Sequence, residues 1–226
     1  METKNLTMLV TIVIITILIG ISLALGISNI NLNNTLSLKN DKLEVTQNNL
    51  NDNITKFQET SASLNQTTMF FNTYLNGLGS YYNATLIQEK SDYRLNQARV
   101  RYDDGHWSNA LAWYWDASDW YHDAWEKFNE TKEIFDNATS YKINSTYSDI
   151  CLIYSDIMDA SCNAMVYCYE AADLYANACE FYLSNDYNAA HESYDTAELK
   201  MSYHDDEIEK VEGHQEDLNI LLSQIS

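Results

Sequence analysis

Apolar positions along the chain follow three different patterns. Residues 8–27, MLVTIVIITILIGISLALGI, run without a charged side chain, long enough for a helix to cross a bilayer. After them, one large apolar residue returns every seven positions: Leu36, Leu43, Leu50, Phe57, Leu64, Phe71 and Leu78. That period predicts a long helix with a coiled-coil-like seam. The seam is narrow, because its companion positions are mostly polar: Asn40, Gln47, Ile54, Ser61, Thr68 and Leu75. Gly77-Leu78-Gly79 predicts a break in that helix.

Beyond the glycines the spacing alternates between three and four, and small residues alternate with aromatic ones. It runs from Trp107 to Ala138, from Tyr147 to Tyr182 and from Tyr187 to Ile225. Rings filling the space left by facing alanines make a knobs-into-holes core. The pattern predicts helices near 80–103, 106–140, 145–183 and 186–225, with a turn near Ser140–Ser145, in an antiparallel up-down four-helix bundle. The expected fold class is all-α: a transmembrane helix, then a long coiled-coil-like helix, then the bundle. The expected divisions are a short cytoplasmic end at 1–7, an anchor at 8–27, a stalk at 28–79 and an acidic bundle at 80–226. The chain has no Pro, so nothing in it forces a long helix to stop.

The bundle region also repeats itself. Tyr102, Trp107, Ala110, Tyr114 and Ala117 recur 80 residues later as Tyr182, Tyr187, Ala190, Tyr194 and Ala197. The turn at Asp103–Gly105 recurs at Ser184–Asp186. The spacing Tyr-x-x-Gly-x-Trp-x-x-Ala-x-x-x-Tyr-x-x-Ala resembles the turn and second helix of a tetratricopeptide-type helical hairpin, over about 16 residues per copy. The family's first-helix signature and period of about 34 residues are missing, so the resemblance implies a tight hairpin and carries no ligand with it.

Charge changes the picture on the bundle. The chain carries a formal net charge of −20. Residues 28–79 hold three Lys and four acids, whereas residues 80–226 hold 9 basic and 28 acidic groups. Such a surface repels nucleic acid and anionic headgroups. Asn-x-Thr occurs at Asn5, Asn33, Asn53, Asn65, Asn83, Asn129, Asn137 and Asn144, and Asn-x-Ser never occurs. Chance placement gives about two such triplets, so the seven after the apolar segment read as N-glycan acceptors on translocated surface. The segment itself reads as an uncleaved single-pass anchor. A cleaved signal ending near Ala24-Leu25-Gly26 is the alternative.

Candidate chemistry concentrates at 103–125, DDGHWSNALAWYWDASDWYHDAW, which holds all five Trp. Asp116, Asp119, Asp123, Glu126, Glu130 and Glu133 form a stripe on the helix face opposite the aromatic seam, and His122 also points outward. A buried carboxylate metal site needs inward acids on several helices. The stripe therefore reads as a solvated face, with a loose Ca²⁺ rail as the lesser alternative and no metal or cofactor assigned. Trp107 belongs to the seam. Trp113, Trp120 and Trp125 flank it, and Trp115 faces out, so Trp113, Trp115 and Trp120 are the candidate contact surface. All four cysteines, Cys151, Cys162, Cys168 and Cys179, fall on one helix. Residues 11 apart on a straight helix are about 16 Å apart, which excludes disulfides among them. Packing, disulfides to a second copy through Cys151, Cys162 and Cys179, and a soft-metal site with Met158 and Met165 remain as readings. His204, at a seam position, is expected near Ala164 and Cys168.

No catalytic motif occurs. The pattern points to a non-enzymatic, membrane-anchored, extracellular N-glycosylated surface protein with a structural or interaction role in the cell envelope. Its expected partners are the membrane, other envelope proteins or glycans, and a second copy through the stalk between Leu36 and Phe57, with no nucleic acid. The alternative is a sensory or ligand-binding four-helix ectodomain acting through a partner membrane protein.

Overall fold

A computed structural model describes residues 2–141 and 143–224, with side chains from residue 15 onward. Every regular element among them is a helix: α1 (Glu2–Asp103), α2 (Trp107–Thr139), α3 (Ser145–Leu183) and α4 (Tyr187–Ser223). The all-α class and the bounds expected for the last three helices agree with this order. Ile225, at the end of the third spacing run, lies outside the described residues, as does the side chain of Asn5.

The chain divides into two compact units, Met1–Ala62 and Ser63–Ser226. In the first, every described side chain is exposed, from residue 15 onward. The unit contains a stretch long and apolar enough to cross a membrane, judged by length and composition. Its stripe residues Leu36, Leu43, Leu50 and Phe57 are all exposed.

The second unit is an antiparallel four-helix bundle, and paired side chains give its order. Arg94 meets Asp116 and Ser80 meets Thr131 across α1 and α2. Ser155 meets Asp136 and Tyr114 meets Tyr175 across α2 and α3. Ser193 reaches the Leu174 carbonyl across α3 and α4. Tyr102 stacks on Tyr194, and Gln215 reaches Tyr81, across α4 and α1. The parallel diagonal pair α1 and α3 is closed by rings: Tyr74 and Tyr81 against Tyr154, and Tyr102 against Tyr182.

The repeat of 80 residues has a local cause. Gly105 and Asn185 both adopt left-handed backbone, at φ 75° and 63°. Around each, the same two bonds close the preceding helix. Gly105 N–H donates to Tyr102 O and His106 N–H to Arg101 O, and Asn185 and Asp186 do the same to Tyr182 and Phe181. These are Schellman caps, and Gly and Asn are the residues that tolerate the left-handed position. α3 starts differently: Asn144 accepts from the Thr146 N–H as an N-cap.

Two expectations about α1 need correction. No break occurs at Gly77–Gly79, and α1 continues to Asp103. Gly77 serves a close approach instead: a Cβ there would lie 2.8 Å from two ring carbons of Phe135. The bundle also recruits residues before 80, because Phe70 is fully buried and Tyr74 and Leu78 pack on the core. Its inward positions on α1 are Phe70, Tyr74, Gly77, Tyr81, Ala84, Ser91, Leu95, Ala98 and Tyr102, one position off the heptad stripe. Phe70 is 1% exposed and the stripe residue Phe71 is 40% exposed.

Candidate functional site

The three Arg of the chain all lie in one stretch of α1, Lys90–Arg101, which also holds Asp92. From there they face three other helices. Deep in the bundle, each helix contributes one polar group to a common layer: Asp92 from α1, Tyr121 from α2, Cys168 from α3 and His204 from α4. The Tyr121 hydroxyl donates to the Asp92 carboxylate at 2.6 Å. Burial pushes the Asp92 carboxyl above its usual range, against the opposing pull of the Tyr121 hydrogen bond and the nearby His204. Burial is also the main reason the Tyr121 hydroxyl and the Cys168 thiol are pushed up. His204 Nδ1 lies 3.0 Å from Asp205.

Two turns further along, towards the Schellman-capped end, Arg99 reaches across to α3 and α4. Its guanidinium donates to the Tyr175 hydroxyl at 2.8 Å and lies 3.6 Å from Glu198. Tyr175 in turn donates to Glu198. Tyr114 stacks on Tyr175 at 5.1 Å, and Tyr194 meets Tyr175 edge-on at the same separation. Seam spacing expected His204 near Cys168, but it missed Asp92 and the Arg99 layer. Asp92 and Arg99 are charged residues beside the inward positions of α1, and a pattern rule assigns such residues to solvent.

Every shifted phenol and thiol is moved away from its reactive anion. The thiols of Cys151, Cys162 and Cys179 are pushed to about 11, 12 and 12, chiefly by burial. A thiol held protonated is a poor nucleophile and a poor metal ligand.

The same burial fits the packing reading of the sulfur groups. Cys151, Cys162 and Cys179 are buried free cysteines, as is Cys168, and Met158 and Met165 are fully buried. They fill the core as small or flexible apolar groups.

Among the tryptophans, Trp113 and Trp120 are half-covered by the basic stretch of α1. Arg101 sits over Trp113 at 4.6 Å, and Arg94 and Lys90 sit over Trp120 at 4.3 and 5.3 Å. Such cation–π contacts contribute about 0.5–1 kcal/mol each near a surface. Of the expected contact surface, Trp115 is the exposed member, at 42%.

Asp119, Asp123, Glu126, Glu130 and Glu133 are exposed, as the spacing predicts. Asp116 is half-buried, held by Arg94 at 2.5 Å. His122, Asp123 and Glu126 bring ligand atoms within 4.8 Å of one another, all on exposed side chains. Such a group leaves most of a cation's coordination sphere to water.

Of the acceptor asparagines, Asn33, Asn53, Asn65, Asn83, Asn129, Asn137 and Asn144 are all exposed. Their threonines are in a different state. The hydroxyls of Thr35, Thr55, Thr67 and Thr85 each donate to the carbonyl four residues back. Thr131 is fully buried and bonds to Lys127 O and Ser80.

Open grooves mark the bundle surface. One, of about 490 Å³, is lined by Tyr167, Tyr203, Asp206, Glu207, Glu209 and Lys210 between α3 and α4. Another, of about 580 Å³, lies between α1 and α2 and has Asn137 on its rim. Comparison of the chain with protein-family models, curated proteins and solved structures returned no match.

Proposed function

We propose that the chain is a single-pass membrane protein whose acidic helical bundle lies outside the cytoplasm, carries N-linked glycans and serves a structural or interaction role in the cell envelope. The observation that carries the reading is the exposure of all seven described Asn-x-Thr asparagines. Five of them, Asn65, Asn83, Asn129, Asn137 and Asn144, lie in the bundle unit, whose filled core leaves them free for a bulky hydrophilic substituent, as a glycosylated surface requires. Further support is the uncharged apolar run at 8–27, which fits an anchor. The suppressed thiols and phenols fit a scaffold.

Membranes from the native source test it. The chain should stay in the pellet through alkaline washing. Its mass should exceed that of the 26.0 kDa polypeptide by several glycans. Protease added outside intact cells should reach the bundle. Recovery as a soluble chain of bare polypeptide mass would overturn the reading. A sensory or ligand-binding ectodomain is the second reading, and the groove between α3 and α4 favours it. It would gain from a small molecule that raises the melting temperature of wild-type protein and leaves a Tyr203→Ala variant unmoved.

A further inference from the structure

The first unit presents an apolar face that its own chain leaves bare. Leu36, Leu43 and Leu50 are 57–64% exposed. The bundle does not continue this line, since its inward positions on α1 run one residue away. With the stripe placed at heptad position d, the companions Asn40 and Gln47 fall at a. The charged residues of 28–79 are Lys39, Asp41, Lys42, Glu44, Asp52, Lys56 and Glu59. Five of them fall at the outward positions b, c and f. The exceptions are Lys39, at g, and Glu44, at e. In a parallel in-register coiled coil, a g residue of one helix faces the e residue five positions later on the other, and such charge pairs set partner and orientation. Lys39 and Glu44 are five positions apart. Neither has an ion-pair partner in its own chain among the described residues. In an antiparallel pairing g would face g and e would face e, and the two would not meet.

Glycan acceptors sharpen the limits of the face. Asn33 falls at a and Asn53 at g, so glycans there would flank or cover the stripe. Between them, Leu36–Leu50 is free of Asn-x-Thr, and the charge pair lies in that window.

We propose that residues 36–50 are a self-recognition segment, through which two copies associate in parallel and in register, with Lys39 of each facing Glu44 of the other. The proposal rests on the anchored reading, which holds both copies in one membrane and in one direction. The segment is short and its a positions are polar. Confinement in a bilayer supplies the effective concentration that such a weak seam needs. The Asn40 amides, facing each other at a, favour one register over others.

Cysteine crosslinking of the full chain in its membrane tests this. The four native cysteines are buried, so a mild oxidant acts on an introduced surface thiol. Leu36→Cys, Leu43→Cys and Leu50→Cys should each form a disulfide-linked dimer, with several-fold higher yield than the outward control Asp41→Cys. The altered side chains are exposed in the single chain, so none of these substitutions disturbs the core. Adding Lys39→Glu to Leu43→Cys should lower the yield towards the control, and adding Glu44→Lys as well should restore it. Equal yields at Leu43→Cys and Asp41→Cys would mean random collision and overturn the proposal. A stripe-specific yield unmoved by both charge changes would overturn the in-register pairing. Alkaline extraction of the same samples reads the anchor separately, so a failure of membrane attachment is distinguished from a failure of pairing.

Discussion

Gly77 shows how one residue type can serve opposite purposes. A Gly pair inside an apolar pattern reads as a turn, because glycine adopts backbone that other residues avoid. Here Gly77 stays helical and lets Phe135 approach. Phe135 cannot retreat, being fully buried and stacked on Tyr154 at 4.6 Å. Gly79, two residues on, faces open space. The two alanine substitutions should therefore have opposite signs. Gly79→Ala should raise stability by about 0.5–1 kcal/mol through helix propensity. Gly77→Ala should lower it, since overpacking a filled site costs about 1–3 kcal/mol. Denaturant midpoints would measure both, and equal gains would show that Phe135 does not occupy this place. Asp92 gives a pH-dependent counterpart. Its carboxyl is pushed up by burial. A group raised on folding contributes stability that is present at acid pH and lost as pH rises through its folded value. Asp92→Asn keeps an acceptor for Tyr121 and removes the buried charge. The variant should be more stable than wild type at neutral pH, and the gap should narrow on acidification towards about pH 4. A gap independent of pH would contradict the assignment of this layer.

At the scale of helices, α2, α3 and α4 were legible because pattern and punctuation agree. Aromatic and small residues alternate at helical spacing, and the turns carry Gly105, Asn144 and Asn185 where caps need them. Within α2 the register was legible to the residue: Tyr114 is fully buried and Trp115 is exposed. α1 was harder to read. Its most conspicuous apolar residues continue a single heptad line from Leu36 to Leu78, whereas the bundle uses the adjacent line of small residues, Gly77, Ala84, Ser91 and Ala98. Size draws the reading to the wrong face. The charged members of the polar layers were illegible for a related reason: Asp92 and Arg99 are half-buried by partners on other helices, which no local spacing records. Helical context also bears on the glycan acceptors. A transferase needs both the Asn129 amide and the Thr131 hydroxyl, and the folded bundle hides Thr131 entirely. Asn129 should therefore be modified only before α1 and α2 pack together. Chain folded without glycan and then exposed to the glycosylating machinery should remain bare at Asn129. The same chain presented unfolded should be modified there, with peptide mass spectrometry as the readout. Modification of the folded chain at Asn129 would mean that α2 opens readily at Thr131.

For the whole molecule, the balance of charge decides how the bundle responds to salt. Residues 80–226 carry 28 acids against 9 basic groups. Several of those bases are engaged in pairs: Arg94 with Asp116, Lys127 with Glu130, Lys132 with Asp159 and Lys200 with Glu170. Exposed pairs of this kind contribute about 0–1 kcal/mol each, and salt weakens them. Among the described residues most of the acids have no cation in an ion pair with them and repel one another, and salt weakens that repulsion as well. The excess of unpaired acids makes repulsion the larger quantity, so screening should stabilise the bundle. Raising salt from about 10 mM to 150 mM shortens the screening length from about 30 Å to 8 Å and weakens the repulsion across the bundle surface. A gain of 1 kcal/mol moves the melting temperature of a domain this size by about 2–4 °C. The full chain in detergent should therefore melt a few degrees higher at the higher salt. All five Trp lie on α2, inside the bundle, so near-ultraviolet circular dichroism reports its melting. A melting temperature that falls with salt would mean that the ion pairs between helices outweigh the acidic surface and hold the bundle together.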